Sequence, residues 1–386
     1  MDSRERIFKA INHQEADRIP FDLGGMAQSG IHRIGYARLR EYLGLPYGQP
    51  RILNINTQQA KFEEDIQKRL LIDTYMVYSD WASVDNAVIL DEGENWTYQD
   101  EWGVKRAMPK DGGLYYDVIN HPLAVDDVVE KFKVYSWPNP IDSIRFSGLR
   151  EEARQARERG KFVVLMGLCP GIVEMYAWLR GYDRFYVDLA ADPKISEMFL
   201  EKMSDLKIAY WQQALAEAGE FVDAINEADD MAGQTNLLFS PKTYRNIIKP
   251  YHKKLFEAIH KCAPHIKIIL HTCGAVRKLI PDFIEIGVDV LNPVQVSAVG
   301  MNPVELKREF GKDISFWGGG VDAQNVLSNA SVQEIRESIQ NNIDALAPGG
   351  GFIFAPTHII QPGVPPENIM VMWETLQEYG IKYGRH

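Results

Sequence analysis

Cysteine is scarce in this chain. Cys169, Cys262 and Cys273 are the only three in 386 residues, too few for a disulfide framework, and they read as free thiols of a reducing compartment. Positive charge is also short: 42 Lys and Arg against 53 Asp and Glu leave a formal net charge of -11, with no basic run. Neither a nucleic acid nor an anionic membrane surface is therefore an expected partner. No apolar run reaches the roughly 18 residues of a membrane span, and Met1-Asp-Ser-Arg-Glu-Arg6 lacks the apolar core of a secretory signal, so a cytoplasmic protein is expected. Linkers rich in Ser, Gly or Pro are missing too, as are internal repeats. The expectation is one domain over residues 1–386, with which a homodimer is compatible. A dinucleotide fingerprint is absent as well, since Gly318-Gly-Gly320 and Gly349-Gly-Gly351 have neither its spacing nor its helix placement.

What is present is an ordinary globular composition, 45% hydrophobic and 25% charged. From about residue 160, short apolar or β-branched runs alternate with longer segments of helical period. The runs predict strands over 161–168, 221–226, 266–271, 288–293, 314–318 and 352–355, with an earlier one at Arg18-Ile-Pro-Phe-Asp22. Helices are expected over 193–218, 241–262, 276–286, 303–310, 332–346 and 366–379, several opened by a capping residue and a proline. This order gives an α/β fold, a (β/α)8 TIM barrel. Residues 23–160, turn-rich and aromatic with helical patches at 32–43 and 57–70, are expected to form an N-terminal elaboration covering the barrel mouth. A hairpin or small sheet is expected over 95–105 and 112–116, and Trp96, Tyr98, Trp102, Tyr115 and Tyr116 suit its own packing better than a substrate cleft.

Chemistry in such barrels sits at the C-terminal ends of the strands. There the chain places His271-Thr-Cys273-Gly274, where alternate strand residues turn an imidazole and a thiol to the same side. That pair suits a soft divalent metal, zinc first, and His358 of Ala355-Pro-Thr-His358 is the natural third ligand. Glu227 and Asp229 are the candidate catalytic carboxylates, for ligation or protonation. Asn226, Asn292, Gln295, Trp317 and Tyr176 are the candidate substrate contacts. Cys169 is a reserve ligand, Cys262 a buried core thiol, and Asp22 and Asp322 are helix or turn caps.

Taken in order, several motifs resemble the uroporphyrinogen decarboxylase-like superfamily, and its corrinoid-dependent methyltransferase branch in particular. They are Ser3 to Pro20, Trp178-Leu-Arg-Gly181, His271 to Gly274, Gly287 to Gln295, Phe316-Trp-Gly-Gly319 with Asp322, and Pro362 to Asn368. Together they span nearly the whole chain. True decarboxylases of this superfamily carry several arginines in the loop that grips the porphyrinogen carboxylates. Here Phe21 to Arg33 holds one. In the coenzyme M enzymes a late cysteine completes the zinc site, whereas this chain has none after Cys273 and offers His358 at about that place. The resemblance thus implies a zinc-dependent O-demethylase component. It would move a methyl group from a small donor, a methoxylated aromatic, to the Co(I) corrinoid of a separate corrinoid protein. The alternatives are a metal-free decarboxylase or lyase on the same scaffold and a non-catalytic binder of corrinoid or tetrapyrrole. The second is weakened by the lack of an Asp-x-His-x-x-Gly cobalamin-binding motif.

Overall fold

The structure is a computed structural model that describes residues 1–46, 51–78 and 87–384. Seven parallel strands form one curled sheet in sequence order: β1 (Thr74–Val77), β2 (Phe162–Met166), β3 (Ala224–Ala228), β4 (Lys267–His271), β5 (Val290–Asn292), β6 (Ser315–Trp317) and β7 (Phe352–Ile353). The two free edges are closed by the predicted first strand. Phe21 bridges Phe354 in parallel, the amides of Asp22 and Phe354 bond the carbonyls of Phe354 and Pro20, and Asp73 N–H donates to Phe21 O on the other side. The result is the expected TIM barrel. Among the described residues no helix is long and apolar enough to cross a membrane.

The strands behave as their composition dictates. In Phe162-Val-Val-Leu-Met166, Phe162 and Val164 enter the barrel interior while Val163 and Leu165 face the surrounding helices. The interior is filled by Phe162, Val164, Ala224, Ile269, Val290, Trp317 and Ile353. Helix α1 (Ser3–Ile11) adds Ile7, Ala10 and Ile11 to that cluster, and the backbone carbonyls of Ala10 and Ile11 receive bonds from Gly351 and Ser315 at the strand starts. The N-terminal end is therefore stoppered, and the C-terminal end carries the loops.

Helices over Pro193–Ala218, Pro303–Phe310, Val332–Leu346 and Pro366–Tyr379 occupy the predicted bounds. Others differ. The helix expected over 241–262 widens into a π-turn at Tyr244–Ile248, because Pro250 has no N–H to return to the Asn246 carbonyl. Only Glu64–Arg69 of the patch at 57–70 is helical, and Gln59–Ala60 pairs antiparallel with Ile52–Asn54. The expected hairpin is a four-stranded antiparallel sheet, Leu90–Glu92, Asn95–Gln99, Lys105–Pro109 and Asp117–Asn120. Residues 112–116 form a turn there, with Gly112 in the left-handed conformation, rather than a strand. Tyr98, Met108 and Tyr116 pack on one another with Ile55 as the small sheet's own core, whereas Trp102 joins the main core, Tyr115 meets His32 and Trp96 is exposed. Cys262, expected in the core, is exposed at the end of its helix.

One buried carboxylate holds the closing segment in place. Asp73 accepts from Arg6 Nη1 at 2.7 Å, from both Arg18 Nη atoms at 2.8 Å and from Phe21 N–H at 2.8 Å. Removing it takes the shared acceptor from the Phe21 amide and from both guanidinium groups, of which Arg6 keeps Asp17 and Arg18 keeps no carboxylate among the described residues. Asp73→Ala is expected to lower unfolding free energy by about 3–5 kcal/mol in a urea titration, whereas removing the exposed Lys68–Glu64 pair leaves the midpoint unchanged. A loss for Asp73→Ala no larger than that of the surface control would contradict this account of closure.

Candidate metal centre

His271 ends β4, two residues beyond the interior Ile269, so its imidazole turns into the barrel mouth. Cys273 follows in a turn that only glycine permits at position 274. The φ of Gly274 is 90°, and a Cβ there would sit 2.5 Å from the Gly233 carbonyl oxygen. The turn is pinned by Cys273 N–H to Asp230 Oδ1 at 2.7 Å and Gly274 N–H to Gln295 Oε1 at 2.6 Å. His358 arrives from the loop after β7, which is tied to its neighbours by Thr357 N–H to Val321 O at 3.0 Å and Ala323 N–H to Thr357 Oγ1 at 3.0 Å. One ligand atom from each of His271, Cys273 and His358 lies within 4.8 Å of the others.

These donors fit zinc. A tetrahedral ion with Zn–N near 2.0–2.1 Å and Zn–S near 2.3 Å separates its N and S ligands by about 3.5 Å. The Cys273 Sγ to His271 Nε2 distance is 3.3 Å. The tautomer of His271 also follows from its neighbours. Asn292 Nδ2 donates to Trp317 O at 2.8 Å, which leaves Asn292 Oδ1 as an acceptor 2.6 Å from His271 Nδ1. The proton must then reside on Nδ1, and the Nε2 lone pair faces Cys273.

Burial sets the charge states. It lowers the pKa of His271 and takes that of His358 down to about 4, with the neighbouring His271 imidazole as the second cause, so both rings are neutral at physiological pH. The Cys273 thiol is pushed well above its ordinary value by burial and by the carboxylates of Asp230 and Glu174. A metal ion binding here must displace that proton. Glu174 itself is raised well above the usual carboxyl range, by burial first and then by Asp230 and Asp229, and it accepts from Asp230 N–H at 3.4 Å. Burial thus favours its protonated form.

The other expected site residues divide sharply. Asn292 spends both polar atoms of its amide on His271 and the Trp317 carbonyl, and Gln295 gives its Oε1 to the Gly274 turn. Trp317 is part of the barrel interior, its Nε1–H donating to Asp22 Oδ2 at 2.8 Å. Asp22 is thus an interior acceptor as well as the cap on Gly25 N–H. Tyr176 lies outside the barrel, stacked on Phe199 with its hydroxyl on Asp188. Glu227 is buried against Lys207 at 3.0 Å and Trp211 Nε1, and Asp229 caps helix α2 (Ile172–Arg180) through Val173 and Glu174 N–H while accepting from His252. Both carboxylates are engaged by these partners rather than by the three-ligand group. Cys169 sits 3.8 Å from Lys207 Nζ and outside the ligand group. Asn226 is buried on β3, in register with the interior Ile269. Asp230, one of the strand-end carboxylates of Asn226-Glu-Ala-Asp-Asp230, holds the Cys273 amide, and Glu174 was missed as a neighbour of the site. Glu174 could have been found from Pro170-Gly171, which turns from a strand end into a helix whose first turn must face the rim.

A family model described as "Uroporphyrinogen decarboxylase (URO-D)" matches residues 97–379. The chain is 22% identical over 402 residues to a uroporphyrinogen decarboxylase of Legionella pneumophila, covering 99% of each. It is 24% identical over 373 residues to that of Thermus thermophilus, covering 92% of each. A methylated-thiol–coenzyme M methyltransferase of Methanosarcina mazei is 26% identical over 220 residues, 56% of this chain and 50% of that one. A solved structure of a methyltransferase from Methanosarcina mazei superposes with a TM-score of 0.66 at 17% identity, covering 98% of this chain and 99% of the other, and shares its fold.

Asn292→Leu, which frees the His271 proton to move to Nε2, is expected to weaken metal binding about 10- to 100-fold in a chelator competition. Wild-type affinity in that variant would remove Asn292 from the argument. In the metal-free protein, NMR titration should find the His358 midpoint near pH 4 rather than near 6.5. The folded state then binds fewer protons than the unfolded chain in that interval, so this histidine's contribution to stability is lost as pH falls from about 6.5 to 4. A His358 midpoint at or above 6 would contradict its burial.

Proposed function

This chain belongs to the uroporphyrinogen decarboxylase (URO-D) family, and from that premise we propose that it is a zinc-dependent methyltransferase. It takes a methyl group from a small methoxylated aromatic donor and passes it to the Co(I) corrinoid of a separate protein. The observation that carries this reading is the convergence of one thiol and two neutral imidazoles at the open end of the barrel. The Methanosarcina mazei relative, a methylated-thiol–coenzyme M methyltransferase, supports methyl transfer as the reaction type.

The donor set also favours an ether over a thiol substrate. One thiolate and two neutral imidazoles leave a divalent ion with a net positive charge, while a second thiolate would cancel it. Zinc bound by His271, Cys273 and His358 supplies Lewis acidity towards an ether oxygen, which is otherwise a poor leaving group. Asn292 keeps His271 in the ligating tautomer, and Gln295 and Asp230 hold the turn that carries Cys273. As the methyl carbon leaves oxygen for cobalt, the carbon–oxygen electron pair stays on oxygen. That oxygen takes up a proton, for which Glu174, whose carboxyl burial and the neighbouring Asp230 and Asp229 hold well above its usual range, is the candidate donor. Decarboxylation of a polycarboxylated tetrapyrrole is disfavoured, because Arg33 is the one cation of the loop from Phe21 to Arg33 and its Nε already donates to Gln58 Oε1.

Protein purified without added zinc is expected to contain close to one zinc per chain, and Cys273→Ala and His358→Ala to lose it. Unchanged content in either variant removes that residue as a ligand. Supplied with a Co(I) corrinoid protein and a panel of methoxyarenes, the wild type should convert Co(I) to methyl-Co(III), with a rate at least about 100-fold lower in Cys273→Ala. No conversion with any donor, given an active partner, would overturn the methyl-transfer reading.

A further inference from the structure

A cleft opens on the outer wall of the barrel, apart from the metal centre. It has a volume of about 410 Å³ and is lined by Arg51, Lys61, Phe62, Gln67, Tyr75 and Arg159, with Glu63 and Glu64 on the same wall. Tyr75 lies on β1 with its side chain turned from the barrel interior to the surrounding helices, where its hydroxyl donates to Glu152 Oε1 at 2.8 Å. His271, Cys273 and His358 take no part in that lining.

The charges of this cleft do not cancel. Both acidic side chains are matched by cations that do not line it: Glu63 accepts from Arg40 Nη1 at 3.3 Å, and Glu64 pairs with Lys68 Nζ at 2.6 Å. The basic side chains are matched less fully. Lys61 Nζ donates at 2.6 Å to Glu152 Oε1, the same oxygen that takes the Tyr75 hydroxyl. Arg159 is exposed and has no carboxylate partner among the described residues. Its guanidinium carbon instead lies 5.1 Å from the centroid of the Tyr75 ring, and Lys61 Nζ lies 5.9 Å from the same centroid. An aromatic ring holds the planar fork in place while leaving N–H donors open to an anion. A chain of net charge -11 thus keeps one concave surface of the opposite sign.

The volume falls in the range of small-molecule sites, about 300–1,000 Å³, and is more than a bare anion needs. What surrounds the cations suits the rest of such a molecule. A narrow apolar recess lined by Leu23, Leu53, Ile72 and Met76 adjoins the cleft and shares Lys61, Phe62, Gln67 and Tyr75 with it. From this arrangement we infer that the cleft is a second binding site, which takes a small organic phosphate: a phosphate monoester whose oxygens meet Arg159 and Lys61 and whose flat or apolar body rests on Phe62 and Tyr75. Two cations gathered on one ring suit a phosphate near two negative charges better than the single charge of a carboxylate. Nothing in this site depends on methyl transfer, because no metal-centre residue belongs to it.

The test is calorimetric titration of the purified full chain at low salt, with phenyl phosphate and AMP as probes and phenol, adenosine, inorganic phosphate and benzoate as controls. One or both esters are expected to bind at one site per chain with a Kd below about 1 mM. That affinity should exceed those of the phosphate-free counterpart and of inorganic phosphate by about 10-fold or more. Arg159→Gln and Lys61→Gln should each weaken it about 10-fold. Arg154→Gln, which removes an exposed arginine outside the cleft, should leave it unchanged, as should Cys273→Ala, which separates this site from phosphate bound at a metal ion. Arg159 is exposed, so its variant decides the matter even where Lys61→Gln does not fold. No ester bound below about 1 mM, or benzoate bound as tightly as phenyl phosphate, would overturn the site. So would an affinity unaltered in Arg159→Gln, lowered equally in Arg154→Gln, or lost in Cys273→Ala.

Discussion

The hydrogen bond between His271 Nδ1 and Asn292 Oδ1 is the constraint on which the site depends. It is 2.6 Å long, joins the ends of two adjacent strands and is itself oriented by the Trp317 carbonyl on a third. Three parallel strands thereby decide which nitrogen of one imidazole carries a proton. The neighbouring thiol is fixed through Asp230, which follows β3, and Gln295, which follows β5. Metal chemistry at this mouth is therefore a property of barrel register, because a slip between β4 and β5 would separate the ring from its acceptor.

Beneath the rim, buried charges hold the loops that shape it. Lys207, fully enclosed on α3 (Pro193–Ala218), donates to the carbonyls of Cys169 and Pro170 at 2.8 and 2.9 Å and pairs with Glu227 at 3.0 Å. Asp229 ties the start of α2 to His252, whose other ring nitrogen meets the Tyr244 hydroxyl at 3.3 Å next to the π-turn. Such groups are costly to bury singly and stable only as completed networks. Here they fix where Gly171 passes Asp229, an approach so close that a Cβ on that glycine would sit 2.0 Å from the carboxylate carbon.

Much of this was legible in the sequence. Four helices fell at their predicted bounds, two of them opened by the bonded caps Asn302 and Ser331, because local propensity and burial agree there. His271, Cys273 and His358 stood out because a strand end narrows where a side chain can point. What failed was partner choice. Glu227, Asp229, Asn292, Gln295 and Tyr176 are polar residues in or beside rim loops, and sequence alone does not tell a carboxylate that caps a helix from one that faces a substrate. Thr74–Val77 was missed as a strand because four residues carry little periodicity. The π-turn was missed because Pro250 at the first turn of a helix is ordinary unless another helix precedes it.

Helix α1 seals the far end of the barrel with Ile7, Ala10 and Ile11, above which the interior is packed solid, so the imidazoles are approached from the loop end. Anything that reaches the imidazoles must leave by the route it took in. A small molecule and a macromolecule that both need that opening cannot use it independently. The larger one covers the exit of the smaller, which imposes an order of arrival and departure through topology alone.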